Sequence, residues 1–194
     1  MKISASAKEK IANKATPQVY ADLCKSTLAQ VILFNRRRGG EVGKMLLQRF
    51  LDRNTNPVHT DVTVGLTKFE KQLCKHFSRV EIEGKRGRKV PMLLSPDVVS
   101  ALELLISKRT QCKVPSSNKY MFARPLVDSY YRGNDCMRLH AQQCGADKPG
   151  LLQSTKLRKH ISTMSQVMNL KEHELDQVAD FLGHDIYPCT QRVL

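Results

Sequence analysis

The chain has 194 residues, about the size of one domain. Lys and Arg number 32 against 18 Asp and Glu, and the resulting net charge of +14 favours a polyanionic partner, most simply nucleic acid. Hydrophobic residues make up 41% of the chain, enough for a real core, so a wholly disordered protein is excluded. The longest apolar runs span only a few residues, whereas a bilayer-spanning helix needs roughly 20. The start of the chain has no apolar stretch after Lys2, so we expect neither a membrane protein nor a secreted one.

The cysteines predict free thiols and no metal centre. The six are scattered and contain no C-x-x-C pair: Cys24, Cys74, Cys112, Cys136, Cys144 and Cys189. In a reducing compartment such thiols belong mostly to the core. Cys74 and His76 could begin a zinc site, but two further ligands at zinc-like spacing are missing from the sequence. We therefore predict no metal and no other cofactor.

The first half of the chain predicts a loose basic segment followed by helices. Repeats and Pro/Gly-rich linkers are absent, so we expect a flexible segment over residues 1–16 and one core over 17–194. Apolar residues at helical spacing predict a helix over 17–35, which Gly39 and Gly40 would stop. A second helix is predicted over 41–51 and a third over 66–77.

After this helix, the spacing of apolar residues changes from helical to alternating, which predicts a β-hairpin. Val80 and Ile82 alternate with glutamates, and the basic tip GKRGRK leads into an apolar run over 90–94. Pro96 begins the next helix, and residues 119–125 predict a short extended piece. Further helices are predicted over 132–144, 151–170 and 172–182, the last ending at Gly183. The predicted class is mainly α with a small antiparallel β-hairpin, an α+β fold.

Basic residues concentrate at four places along these elements. Each place, taken alone, is also explained without a specific function. In chain order, these explanations are a solvated helix end, a solvated turn or nuclear-import patch, the edge of a buried helix face, and a helix cap. The four places, in chain order, are Arg36 to Arg38, then Lys85, Arg86, Arg88 and Lys89, then Lys156, Arg158, Lys159 and His160, and finally His184.

Taken together, the four places resemble the catalytic domain of tyrosine recombinases, the phage-integrase type of DNA breaking and rejoining enzyme. The matching motifs, in order, are Arg38-Gly39-Gly40-Glu41 for R-x-x-E, Gly84-Lys85 with Val90-Pro91 for the lysine hairpin, Leu157-Arg158-Lys159-His160 for the second arginine, and Leu182-Gly183-His184 for L-G-H. The match spans about residues 17–184. The segments FNRRRGG and TKLRKHISTMSQ are similar to sequences encoded by recombinase-like genes of eukaryotic mobile elements.

The resemblance implies a chemistry and a partner. A tyrosine attacks the scissile phosphate, so neither ATP nor a metal is needed, and Arg38 and Arg158 would clamp the non-bridging oxygens. Lys85 would protonate the leaving 5′ oxygen, and His184 would donate a further hydrogen bond. The implied partner is double-stranded DNA, and a homo-oligomer on DNA is possible. The predicted DNA-binding residues are Arg36, Arg37, Arg86, Arg88, Lys156 and Lys159.

Two departures from the family pattern concern catalysis. Thr155 stands where the family usually places a histidine or lysine, three residues before the second arginine. The family tyrosine would fall at Arg192 or Val193, and Tyr187 lies only three residues after His184 and precedes a proline. We therefore expect a catalytic core that is incomplete at its C-terminus and inactive alone.

Three functional hypotheses remain open at this point, besides a plain helix-turn-helix repressor, in which the basic hairpin would have no role. The first is a recombinase or integrase core for DNA recombination and integration, located in the nucleus or alternatively in the cytoplasm. The second is a domesticated DNA-binding protein without catalysis. The third is a basic helical RNA-binding protein, which would need stacking aromatics, although aromatic residues make up only 6% of the chain.

Overall fold

The computed structural model describes residues 2–53, 72, 75–84 and 87–167. Their elements in chain order are α1 (Lys2–Asn13), α2 (Pro17–Asn35), α3 (Gly39–Gly43), α4 (Leu47–Leu51), β1 (Ser78–Glu83), β2 (Lys89–Leu94), α5 (Pro96–Lys108), α6 (Gly133–Gln143), a 3-10 turn (Pro149–Leu151) and α7 (Ser154–Val167). The predicted mainly α fold with a small antiparallel hairpin is confirmed. The predicted helices over 66–77 and 172–182 fall mostly or wholly outside the described residues.

Helix α2 is the central helix and contacts α1, α5 and α6. The Thr16 hydroxyl caps its start by accepting a hydrogen bond from the Val19 N–H at 3.3 Å, and Pro17 occupies the first turn. The helix ends at Asn35, as predicted, but the predicted cause was wrong. Arg36 takes a left-handed conformation (φ 52°) that ends the helix, and Gly39 instead begins α3.

The N-terminal segment is helical rather than loose. Ala7 and Ile11 of α1, one turn apart, are buried in the main core and pack α1 against α2. The basic residues of this segment had predicted a loose chain, whereas Ala7 and Ile11 have the spacing of an apolar helix face. The prediction of a flexible segment over residues 1–16 is therefore corrected.

The predicted single helix over 41–51 is split into α3 and α4. Between them the backbone is extended, and Leu46 forms a β-bridge with Tyr120. The Leu47 N–H donates to the Lys119 carbonyl and the Met121 N–H donates to the Met45 carbonyl, both at 2.8 Å. Because these bonds to a distant segment replace helical ones, the amphipathic pattern did not continue as one helix. The extended piece predicted over 119–125 is confirmed only at the bridge residues Tyr120 and Ala123, because Met121 and Phe122 between them form a turn.

The two strands pair antiparallel, with Ser78 opposite Leu94 and Glu83 opposite Lys89. Alternate residues Val80, Ile82 and the run Val90, Met92, Leu94 are buried, as period-2 patterning predicts. The side chain of Asn35 hydrogen-bonds both backbone groups of Leu93, donating to its carbonyl at 2.8 Å and accepting from its N–H at 2.7 Å. The end of α2 therefore holds the hairpin directly.

Candidate functional site

Arg38 lies between α2 and α3 and faces partly into solvent. Its Nη1 donates to Glu41 Oε1 at 3.0 Å, and the side chains are 35% and 12% exposed respectively. The Arg38 carbonyl accepts hydrogen bonds from the N–H groups of Glu41 and Val42, which starts α3. The R-x-x-E spacing thus places the arginine and its carboxylate one helical turn apart, where they can pair.

Arg158 lies on the buried face of α7, and only 7% of it is exposed. Burial lowers the pKa of its guanidinium, Arg38 lowers it further, and Glu41 raises it. Arg38 and Glu41 are therefore near enough to Arg158 for their charges to act on its guanidinium. The structure therefore brings together two residues that are 120 positions apart in the sequence, Arg38 and Arg158.

Arg37 differs from the expectation of a DNA-contacting surface residue. Its side chain is completely buried, and Nη2 donates to the Pro91 carbonyl of β2. Burial lowers the pKa of Arg37 to about 10, Glu41 raises it, and Arg158 and then Arg38 lower it. A guanidinium enclosed in this way offers no surface to DNA, so we assign Arg37 to holding the hairpin against the arginine turn. Sequence alone could not separate it from its two arginine neighbours.

The start of α3 packs directly against the start of α6. A Cβ atom on Gly39 would lie 2.8 Å from the Asn134 backbone nitrogen, and one on Gly133 would lie 2.8 Å from the Gly39 carbonyl carbon. Both positions therefore require glycine for this close approach. Gly39 directly follows Arg38, so the contact fixes the arginine turn relative to α6.

A side-chain hydrogen bond then links α6 to α7. The Ser154 hydroxyl donates to Asn134 Oδ1 at 3.1 Å, and Ser154 is buried one helical turn before Arg158. Neither Asn134 nor Ser154 is among the site residues predicted from the sequence. The sequence offers only their positions as a signal. Asn134 lies at the start of a predicted helix, and Ser154 lies four residues before the second arginine.

Positive charges outnumber negative charges at this site. Three guanidinium groups, those of Arg37, Arg38 and Arg158, interact with the single carboxylate of Glu41, so these four groups carry 3 − 1 = +2. Arg38 is the more exposed of the two arginines predicted to be catalytic, and Arg158 is the more enclosed. Forked donors held in this way suit the non-bridging oxygens of a phosphate group.

The other predicted site residues occupy different surroundings. Arg88, Lys156 and Lys159 are exposed, and Arg36 is half-buried at the end of α2. Thr155 is exposed on α7. Lys85, Arg86 and His184 lie outside the described residues, so their predicted roles stay predictions.

In the part of the chain that the structure describes, no three His, Cys, Asp or Glu residues are grouped so that they could hold a metal ion. Cys24, Cys112 and Cys136 are buried free thiols, and Cys144 is an exposed one. No helix within residues 2–53 or 87–167 is long and apolar enough to cross a membrane.

Comparisons with known proteins agree with this architecture. No family model and no curated protein matches the sequence. Among solved structures, the chain is similar to XerH site-specific recombinase bound to difH substrate in a pre-cleavage complex, with a TM-score of 0.56 and 18% identity. It is also similar to XerH bound to palindromic difH substrate in a post-cleavage complex, with a TM-score of 0.55 and 16% identity. Both matches cover 94% of this chain, which spans 44% and 45% of the XerH chains. The fold of this chain is therefore similar to that of the tyrosine recombinase catalytic domain.

Proposed function

We propose that this chain is a recombinase-like core that binds double-stranded DNA, with Arg38 and Arg158 clamping one backbone phosphate. The observation that carries the proposal is the convergence of these two arginines beside Glu41 from opposite ends of the sequence. Support comes from the net charge of +14 and from a fold similar to that of a recombinase solved in complex with its DNA substrate.

In this proposal the two arginines have different tasks. Arg158 is enclosed and held by its helix, so it supplies a preorganised donor that needs little reordering when a phosphate binds. Arg38 is partly exposed and paired with Glu41, which keeps its fork oriented toward the same region. The exposed Arg88, Lys156 and Lys159, the half-buried Arg36, and Arg86 would neutralise flanking phosphates.

DNA-binding titrations at several salt concentrations test the clamp. We expect Arg38→Ala and Arg158→Ala each to weaken binding of a labelled duplex by roughly tenfold or more, the effect of losing a charged hydrogen bond. The double variant should lower the log–log salt slope by about 0.9, the value for one phosphate. Arg138→Ala, an exposed arginine paired with Asp135 on α6, is the control for loss of one charge. Unchanged affinity in both single variants would refute the clamp, and a slope change near 1.8 would indicate two separate phosphates.

We further propose that the 194-residue chain binds DNA without forming a phosphotyrosine bond. The positions expected for the nucleophile by family spacing hold Arg192 and Val193, and Thr155 stands in place of a proton-transferring side chain. The test uses a nicked suicide duplex, scored for a covalent protein–DNA adduct, with this chain and with a version extended by a tyrosine-bearing tail. An adduct from the extended version alone supports a clamp that lacks its nucleophile. An adduct from the unextended chain that Tyr187→Phe abolishes would refute the proposal.

A DNA-binding protein without catalysis is the second candidate, favoured by Thr155 and by the residues at 192 and 193. Salt-sensitive duplex binding with no adduct from either version supports it over the recombinase core. We retain as part of the first proposal a mobile-element origin, action in DNA integration, residence in the nucleus, and assembly of several copies on DNA. Sedimentation with and without a duplex tests the last of these.

A further inference from the structure

Asn134 contacts a residue close in sequence to each of the two arginines that the proposed clamp depends on, Gly39 and Ser154. Its backbone nitrogen is so close to Gly39 that a Cβ there would lie 2.8 Å away, and its Oδ1 would contact the same Cβ. Gly39 is the residue after Arg38. The position of Asn134 is thereby coupled to the position of the Arg38 turn.

Ser154 completes the connection on the other side. Its hydroxyl donates to Asn134 Oδ1 at 3.1 Å, and this is a contact between residues 20 positions apart that joins α6 to α7. Ser154 and Arg158 are four residues apart on α7, and both are buried, so they share one face of the helix. A rotation or shift of α7 that broke the Ser154 bond would also displace the Arg158 head.

We propose that Asn134 and Ser154 are positioning residues that set the separation of Arg38 and Arg158 by linking α3, α6 and α7. The inference rests on the proposed function, because it gives these residues a role in phosphate binding. Neither side chain contacts the phosphate itself. The polar link holds α7 in register at the point where its buried serine meets the start of α6.

The test is a double-mutant cycle measured by binding of a labelled duplex to the whole chain. Ser154→Ala removes the donor, and we expect binding to weaken roughly threefold to tenfold, the effect of one neutral hydrogen bond. In the Arg158→Ala background, the same substitution should change the affinity less than twofold, since Ser154 acts through Arg158. Ser154→Thr retains the hydroxyl and should bind the duplex as tightly as the unsubstituted chain. Asn134→Ala should weaken binding as much as Ser154→Ala does.

Two controls separate positioning from stability. Ser117→Ala removes a similar side-chain bond, 2.9 Å from its hydroxyl to Asp128, on a distant loop, and should leave DNA affinity unchanged. Thermal unfolding of every variant identifies any that fails to fold, and if Ser154→Ala fails, Asn134→Ala supplies the measurement, because it removes the acceptor of the same bond. If Arg158→Ala weakens binding but Ser154→Ala and Asn134→Ala do not, the positioning role is refuted while the clamp stands. Equal effects of Ser154→Ala in both backgrounds would also refute it. If Arg158→Ala itself has no effect, the positioning role is refuted, and if Arg38→Ala has none either, the proposed function is refuted with it.

Discussion

Arg37 offers a decisive comparison because it is adjacent to Arg36 and Arg38 but completely buried. Replacement by Gln removes the charged hydrogen bond to the Pro91 carbonyl, which by itself contributes about 1.5 to 3 kcal/mol. The substitution also removes repulsion, because Arg158 and Arg38 lower the pKa of Arg37. This relief offsets part of the attraction to Glu41 that is lost with the charge. We therefore expect Arg37→Gln to lower the free energy of unfolding by about 2 to 3 kcal/mol.

The assay is chemical and thermal unfolding followed by circular dichroism, with Arg36→Gln as the matched control. Arg36 is half-buried, and Gln retains a long polar side chain at this left-handed position, so its effect should stay within about 0.5 kcal/mol. For a chain of this size the Arg37 effect corresponds to a melting temperature lower by roughly 5 to 10 °C.

DNA binding gives the second part of the comparison. If Arg37 only supports the hairpin, the salt slope of duplex binding by folded Arg37→Gln should equal that of the unsubstituted chain, because the number of phosphate contacts is unchanged. Arg36→Gln should reduce the slope if the surface prediction for Arg36 is right. An Arg37 variant that remains as stable as the parent, or whose salt slope falls by about 0.9, would refute the assignment of Arg37 to structural support.

The remaining predictions concern packing and pH. Gly39→Ala should destabilise the fold by about 1 to 3 kcal/mol by forcing α3 from α6, whereas Gly40→Ala, whose Cβ meets no atom within 4 Å, should be neutral or stabilising by up to about 1 kcal/mol in the same unfolding assay. Burial lowers the pKa of His140 below its ordinary 6.5, Lys25 lowers it further, and Asp22 raises it. The unfolded chain therefore binds the His140 proton more readily, and stability should fall as the pH drops below about 6.5. His140→Gln should reduce the pH dependence of the unfolding midpoint between about pH 5 and 7, and an unchanged slope there would contradict this.

Periodicity predicted the elements whose start signals and apolar spacing lie within one stretch of sequence. Helices α2, α5 and α6 and the hairpin lie close to their predicted positions because their apolar spacing and Pro17 or Pro96 at the start are local signals. The helix predicted over 41–51 failed because the Met45 carbonyl and the Leu47 N–H pair with a segment some 70 residues away. No local pattern contains that information.

The candidate site divides in the same way. Motif order predicted Arg38 and Arg158 as site residues; Arg38 pairs with Glu41, and the same carboxylate raises the pKa of Arg158. The motif could not show that Arg37 turns inward to Pro91, because three consecutive arginines are chemically identical and only the left-handed turn at Arg36 decides which one faces the core. Asn134 and Ser154 were not predicted, because what links them to this site is a hydrogen bond between residues 20 positions apart, and no local sequence pattern shows that bond.

The charges at the site explain why close contacts and hydrogen bonds are needed to hold the arginine turn in place. Arg158 and Arg38 each lower the pKa of a neighbouring guanidinium, so their mutual repulsion opposes the fold that brings them together. Glu41 compensates one of these charges, and the net +2 of the four groups must be held by contacts elsewhere. The glycine contact between α3 and α6 and the bonds of Asn35 and Arg37 to β2 are contacts of this kind, because each ties the arginine turn to a neighbouring element. A bound phosphate diester would neutralise part of the repulsion, so the free energy stored in placing the arginines together becomes binding free energy for the anion.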